Sequence, residues 1–213
     1  FTPTPNIVVS KRKYPVKNLA IIFSNGNILT AIVCATIAYS LMNLVMTSTP
    51  LAVIGCGYSS SDAANIVTAH ALSMYLPSFF TGSFISKYGT RTIMSFGAFF
   101  IGLAAGVGFW DSNIVNFYVD LILLGVGWNF LFIGATYLLT TSCNAENKTF
   151  IQGVNDFCVF GTVALASLTS GFILNCTATS SEMGWSMVNL LMAPFVAISA
   201  ILILLLKVKT LQT

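Results

Sequence analysis

Asn43 and Thr47, His70, Asn129, and the neighbours Asn155 and Asp156 each stand inside a long apolar run of the sequence. Amides and hydroxyls at such places can hold a solute or bridge two helices. An imidazole can in addition move a proton near neutral pH. Each group is costly in hydrocarbon unless it faces protein or water, so together they mark a possible pathway as lining or bridging residues. The plainer role for each Asn or Thr is an interhelical hydrogen bond contributing about 0.6 kcal/mol. His70 is the one histidine; it has no acidic neighbour in sequence, which favours a structural donor over proton transfer. Asp156 falls near the inner end of its apolar run, in QGVNDF, where the positive end of a helix dipole favours a carboxylate.

The elements that must position these groups follow from composition. Of 213 residues 56% are hydrophobic and 7% charged, against about 25% charged in an ordinary soluble domain. Disorder is excluded by the same figures. Nucleic-acid binding is excluded because nine Lys and Arg are scattered in small groups between apolar runs. The fold class is therefore all-α, a polytopic membrane protein. Charges and turn residues delimit six spans, at Ile28 to Ile54, Ala64 to Ile85, Ile93 to Trp110, Ile114 to Leu139, Phe150 to Leu174 and Trp185 to Leu206. Residues 1–27 form a basic, Pro-rich tail or linker, 28–206 the membrane domain, and 207–213 a short C-terminal tail. The start FTPTPNIVVSKRKYP suits either a frayed tail or a linker after another domain.

The positive-inside rule orients the spans. Lys11, Arg12, Lys13 and Lys17 precede span one, Lys87 and Arg91 join spans two and three, Lys148 joins four and five, and Lys207 and Lys209 follow span six. All nine fall on one side. The opposite loops carry Asp62, Asp111 and Glu182, with Asp120 in the adjoining outer turn of span four. Both termini are thus expected on the inner, cytoplasm-like or matrix-like, face of a membrane the sequence does not specify. The outer loop before span six holds the sequon at Asn175 and also Cys176, which could reach Cys56 in a disulfide. No CxxC or Cys/His spacing suggests a metal, and no cofactor is implied. GxSxG, HExxH and Walker patterns are missing, so an enzyme is not expected.

Pro77 should kink span two, since it cannot donate to the carbonyl of Ser73. Small residues should set the helix contacts: Gly97, Gly102, Gly106 and Gly108 in span three, including the Gly102–Gly106 GxxxG step, with Gly125, Gly127 and Gly134 in span four.

The loop after span two reads GSFISKYGTR, with Gly82, Lys87, Gly89 and Arg91 in register. It resembles the signature loop of the major facilitator superfamily: Gly, three residues, Asp, a basic residue, any residue, Gly, and two basic residues. Ser86 replaces the Asp and Thr90 the first closing cation. LMNLVMTSTPLA, HALSMYLPSFFTG, GVGWNFLFIGATYLLT and QGVNDFCVFGTVALASLTSG are similar to spans seven, eight, ten and eleven of bacterial members. The resemblance implies two six-helix halves, each of two inverted three-helix repeats, with solute bound between them. This chain looks like the second half, a part of a secondary transporter that moves a small solute by alternating access and needs a second six-helix half. It also implies an inner latch in which Arg91 pairs with Glu146 of CNAENK. A faint repeat is visible inside the chain, Met42-Asn43-Leu44 in span one against Trp128-Asn129-Phe130 in span four. The competing function is a degenerate, non-transporting subunit whose polar faces meet lipid or neighbouring membrane subunits.

Overall fold

Apolar runs of this length have one economical backbone state, because in hydrocarbon every N–H and C=O must be paired within its own segment. A computed structural model describes residues 22–174 and 180–206. Its helices are α1 (Gly26–Gly55), α2 (Ser60–Tyr75), α3 (Ser78–Tyr88), α4 (Thr90–Trp110), α5 (Ile114–Ser142), α6 (Lys148–Phe172) and α7 (Ser181–Leu204). Five of them, α1, α4, α5, α6 and α7, are each long and apolar enough to cross a membrane. The tails at 1–21 and 207–213, with the six basic residues they carry, lie outside the described residues, as do Asn175 and Cys176.

The expected second span is α2 and α3 together. Leu76 and Pro77 between them keep right-handed helical angles, φ −57° and −64°. The chain therefore runs on from Ser60 to Tyr88 as one bent rod, broken at the proline as its missing N–H requires. Polar caps set several starts. Asn25, Asn113 and Ser180 each accept a bond from a backbone N–H of the following turn, and Ser59 and Asp62 form a reciprocal capping box before α2. Between α3 and α4 the chain reverses at Gly89, whose φ of +85° only glycine adopts without strain.

α1 is the central post, packed on α5, α6 and α7, and α5 packs on α1, α2 and α4, while α4 also meets α7. Exchanging span one with four, two with five and three with six maps these contacts onto one another, although α1 also touches α2 without an α5–α6 contact of matching extent. The α1–α6 contact becomes α5–α2, and α4–α5 becomes α7–α1. That is the pairing expected of two inverted three-helix repeats.

The closest approach is between α4 and α5. A side chain on Gly127 would put its Cβ 2.8 Å from the Ile101 nitrogen and 3.0 Å from the Gly97 carbonyl oxygen. The Gly102–Gly106 step, expected to allow a close helix approach, makes none of this kind: a Cβ on Gly106 meets nothing within 4 Å, and one on Gly102 only brushes Val196 of α7 at 3.5 Å. Gly97 and Gly127 lie on the faces that touch. The step lies on another face of the same helix.

Candidate functional site

Two polar seams run through the bundle, each joining a span of one repeat to a span of the other. In the first, Asn129 of α5 is wholly buried. Its amide nitrogen donates to the Met74 carbonyl at 2.7 Å and to the Ser78 hydroxyl at 2.5 Å, while the Thr81 hydroxyl donates to its oxygen at 2.6 Å. These partners flank Pro77, where the helical ladder is interrupted and a carbonyl can accept from the side. One turn before Asn129, Gly125 lets α2 come close, since a Cβ there would stand 2.9 Å from the His70 carbonyl oxygen.

The second seam joins α1 to α6. The Asn43 amide nitrogen donates to the Ser167 hydroxyl at 2.6 Å and to the Val163 carbonyl at 3.4 Å. Ser40 bonds Thr162 at 2.8 Å, and Thr47 and Ser48 reach Ser170 at 3.0 and 2.9 Å. Thr47, Ser48 and Thr49 also bond back to carbonyls of their own helix just before Pro50. Unlike Asn129, Asn43 is only partly buried, and Ser167 is exposed.

Beside Asn43 stands an aromatic group that the polar residues alone did not reveal. The Tyr39 ring meets Trp128, Phe132 and Phe160 edge-on with centroids 5.5, 5.2 and 6.0 Å away, and Trp128 stacks on Phe132 at 5.1 Å. Phe160 is 60% exposed. The four rings come from α1, α5 and α6 and form an apolar cluster one turn from Asn43, with the Phe160 ring at its exposed side. Edge and face contacts at these separations are the geometry in which a further planar ring can stack. The sequence signal was there in the four-residue spacings Tyr39–Asn43 and Trp128–Phe132, but such spacing equally suits an ordinary packed stripe.

The other expected residues are distributed as follows. His70 is wholly buried between α2 and α5, its Nδ1 2.7 Å from the Leu121 carbonyl, which makes Nδ1–H the donor, and its Nε2 has no partner. Asp156 accepts from Gln152 at 2.9 Å and from Asn155 at 3.1 Å, both on α6 itself, so neither Asn155 nor Asp156 bridges to another helix through these bonds. The segment expected as a loop is largely helical, with Gly82, Ser86 and Lys87 on α3, Arg91 on α4 and only Gly89 between them; Gly82 borders open space, Ser86 bonds back to the Gly82 carbonyl at 3.1 Å, and the Lys87 ammonium lies 5.2 Å from the Tyr88 ring centre. Arg91 donates to the Leu204 carbonyl at 2.7 Å. A cation there meets the negative end of the α7 dipole and ties the start of α4 to the end of α7. That bond, rather than an ion pair with Glu146, engages the Arg91 guanidinium in this conformation. Among the described residues no group of His, Cys, Asp and Glu is placed to hold a metal.

The Asn43 seam offers hydrogen-bonding groups on a partly exposed face beside aromatic rings. A model of the Major Facilitator Superfamily matches residues 17–212. The riboflavin transporter RfnT of Brucella anthropi is 38% identical over 189 residues, covering 88% of this chain and 46% of that protein. The uncharacterized MFS-type transporter YddS of Bacillus subtilis is 30% identical over 184 residues, covering 84% of this chain and 42% of its own. The chain thus spans less than half the length of these relatives.

Proposed function

The chain belongs to the major facilitator superfamily, and from that premise we propose that it is one six-helix half of a secondary transporter that moves a small, planar heteroaromatic solute of the flavin kind by alternating access. A second six-helix half completes the pathway. Both termini lie on the inner face, a reading supported by the nine basic residues of the sequence, all assigned to that side.

One observation carries the choice of solute: the partly exposed rings of Tyr39 and Phe160, backed by Trp128 and Phe132, adjoin the donors and acceptors of the Asn43 seam. A flat heterocycle needs a ring surface for its face and hydrogen-bonding groups for its edge. Stacking of one base on an aromatic side chain contributes about 1–3 kcal/mol, enough to select such a solute over a sugar of similar polarity. The name of the Brucella relative supports riboflavin as the first probe.

The test is uptake of riboflavin by the complete transporter reconstituted in liposomes. Saturable uptake, competed by other flat heteroaromatic compounds and not by sugars, is the expected result. No saturable uptake of any heteroaromatic probe, together with isolation of the chain among unrelated membrane subunits, would overturn it in favour of a structural subunit.

A further inference from the structure

Gly102, half of the GxxxG step that makes no close helix contact, lines a groove instead. Away from both seams, Phe99, Gly102 and Leu103 of α4 stand opposite Val196, Ala200 and Leu204 of α7 and bound a space of about 440 Å3. A Cβ on Gly102 would only touch Val196 at 3.5 Å, so the floor is open. The groove is almost wholly apolar. Its hydroxyl, that of Ser95, bonds back to the Arg91 carbonyl at 3.0 Å. Phe99, Leu103 and Leu204 along the rims are 58%, 42% and 65% exposed, so the groove faces outward from the bundle. From Ser95 to Leu103 it follows α4 for about 12 Å at 1.5 Å per residue.

One turn beyond Ser95, on the same helix face, Arg91 stands at the end of the groove. It is exposed, and its guanidinium donates to the carbonyl of Leu204, itself a rim residue, at 2.7 Å. A guanidinium has five N–H donors. Among the described residues Arg91 makes no other hydrogen bond and no ion pair, so donors remain for an anion. In sequence Lys207 and Lys209 follow Leu204 closely, with no acid among residues 205–213. A cationic end on a long apolar channel complements an amphiphile with an anionic head and a hydrocarbon chain. A neighbouring helix is a poorer match. Helices associate through small residues that let two backbones approach, and here the large side chains of Phe99 and Leu103 flank Gly102 and hold a rod about 10 Å wide away. A flexible chain of methylenes lies between them without hindrance.

We propose that the groove between α4 and α7 is a binding site for an anionic phospholipid, with one acyl chain laid over Gly102 and Ala200 and the phosphate on the free N–H groups of Arg91. Charge-assisted bonds of this kind are the stronger sort, and the planar guanidinium can hold a phosphate and a carbonyl at once. The lipid thereby reinforces the tie between the start of α4 and the end of α7, which otherwise rests on the bond to Leu204. The site does not depend on which solute is carried.

The test is photo-cross-linking of the complete transporter in detergent with phosphatidylglycerol that carries a photoreactive group along one acyl chain, the adducts being mapped by peptide mass spectrometry. They should concentrate on residues 95–103 and 196–204. Unlabelled phosphatidylglycerol should compete at about fivefold lower concentration than phosphatidylcholine, the weight of one basic residue near an anionic headgroup. Arg91→Gln should abolish that advantage, and Arg91→Lys, which keeps the charge should the amide variant fold poorly, should retain most of it. Adducts spread evenly over the membrane-facing helices, or absent from the groove because a neighbouring helix covers it, overturn the site. So do equal competition by the two lipids in the wild type and an advantage that survives in Arg91→Gln. No transport is measured, so the outcome is independent of the solute reading.

Discussion

At Asn129 the amide reaches the carbonyl of Met74 and the hydroxyl of Ser78; at Asn43 it reaches the carbonyl of Val163 and the hydroxyl of Ser167. In each case the two partners are four residues apart on the span that the inverted repeat makes equivalent. The surroundings differ. Four residues before Asn129 stands Gly125, against which α2 closes, and four residues before Asn43 stands Tyr39, whose ring props a cluster of aromatics beside the seam. Asn129 is wholly buried and Asn43 is not. One bonding pattern thus serves as a sealed joint at the Pro77 bend between α5 and α2, and as a partly exposed rail between α1 and α6. A small residue or a large one at a single helical turn decides between them.

Breaking the sealed joint should have the largest effect. Gly125→Val drives a branched side chain into the His70 carbonyl and should cost about 3 kcal/mol or more by overpacking, visible as a lower melting temperature in detergent and poor yield. Asn129→Leu comes next. It leaves Ser78, Thr81 and the Met74 carbonyl without their shared partner, and should cost about 2 kcal/mol in the same measurement. The matching change on the open rail, Asn43→Leu, should cost under about 1 kcal/mol of stability. Equal losses from the two Asn variants would erase the distinction between the seams.

The open rail is sharpened by Phe160→Ala. The ring is largely exposed and contributes little to packing, so melting should hold while the KM for riboflavin rises about five- to tenfold, the equivalent of a lost stacking contact of about 1–1.4 kcal/mol. A variant with normal uptake would detach the aromatic group from the solute. The smallest effect concerns the helix starts. α2, on the sealed side, begins with the Ser59–Asp62 box, whereas α6, on the open side, begins at Asn147 with no side-chain cap. The Ser59 hydroxyl and N–H hold the Asp62 carboxyl below its ordinary range. Its contribution is therefore present above the unfolded-state value, about 3.9, and lost as pH falls through the lower folded value. Amide exchange at the first turn of α2 should accelerate in that acid window, and that of α6 should show no matching step.

Much of this was legible in the sequence because the membrane makes polar residues conspicuous. Asn43 and Asn129 could be matched through MNL and WNF, Pro77 announced the bend, and the apolar runs gave the spans to within a turn. Other features depend on which faces meet. Tyr39, Trp128, Phe132 and Phe160 acquire meaning only when α1, α5 and α6 converge. Asp120 reads as an outer-turn acid until the fold buries it beside Gly108 and Asn189, distant in sequence. Arg91 chose a backbone carbonyl, and a carbonyl has no sequence signature. The Gly102–Gly106 step misled for a related reason, since spacing locates glycines on one face without saying what that face touches.

The central claim is that solute runs along the α1–α6 seam and not the α5–α2 seam. Single cysteines at Ser167, partner of Asn43, and at Thr81, partner of Asn129, test it in an otherwise cysteine-free transporter treated with a membrane-impermeant thiol reagent. The account predicts that Ser167→Cys reacts and is slowed by saturating riboflavin, while Thr81→Cys, at a position with no exposed surface, stays unmodified. Reaction of Thr81→Cys at a comparable rate, or no effect of riboflavin on Ser167→Cys, would contradict it.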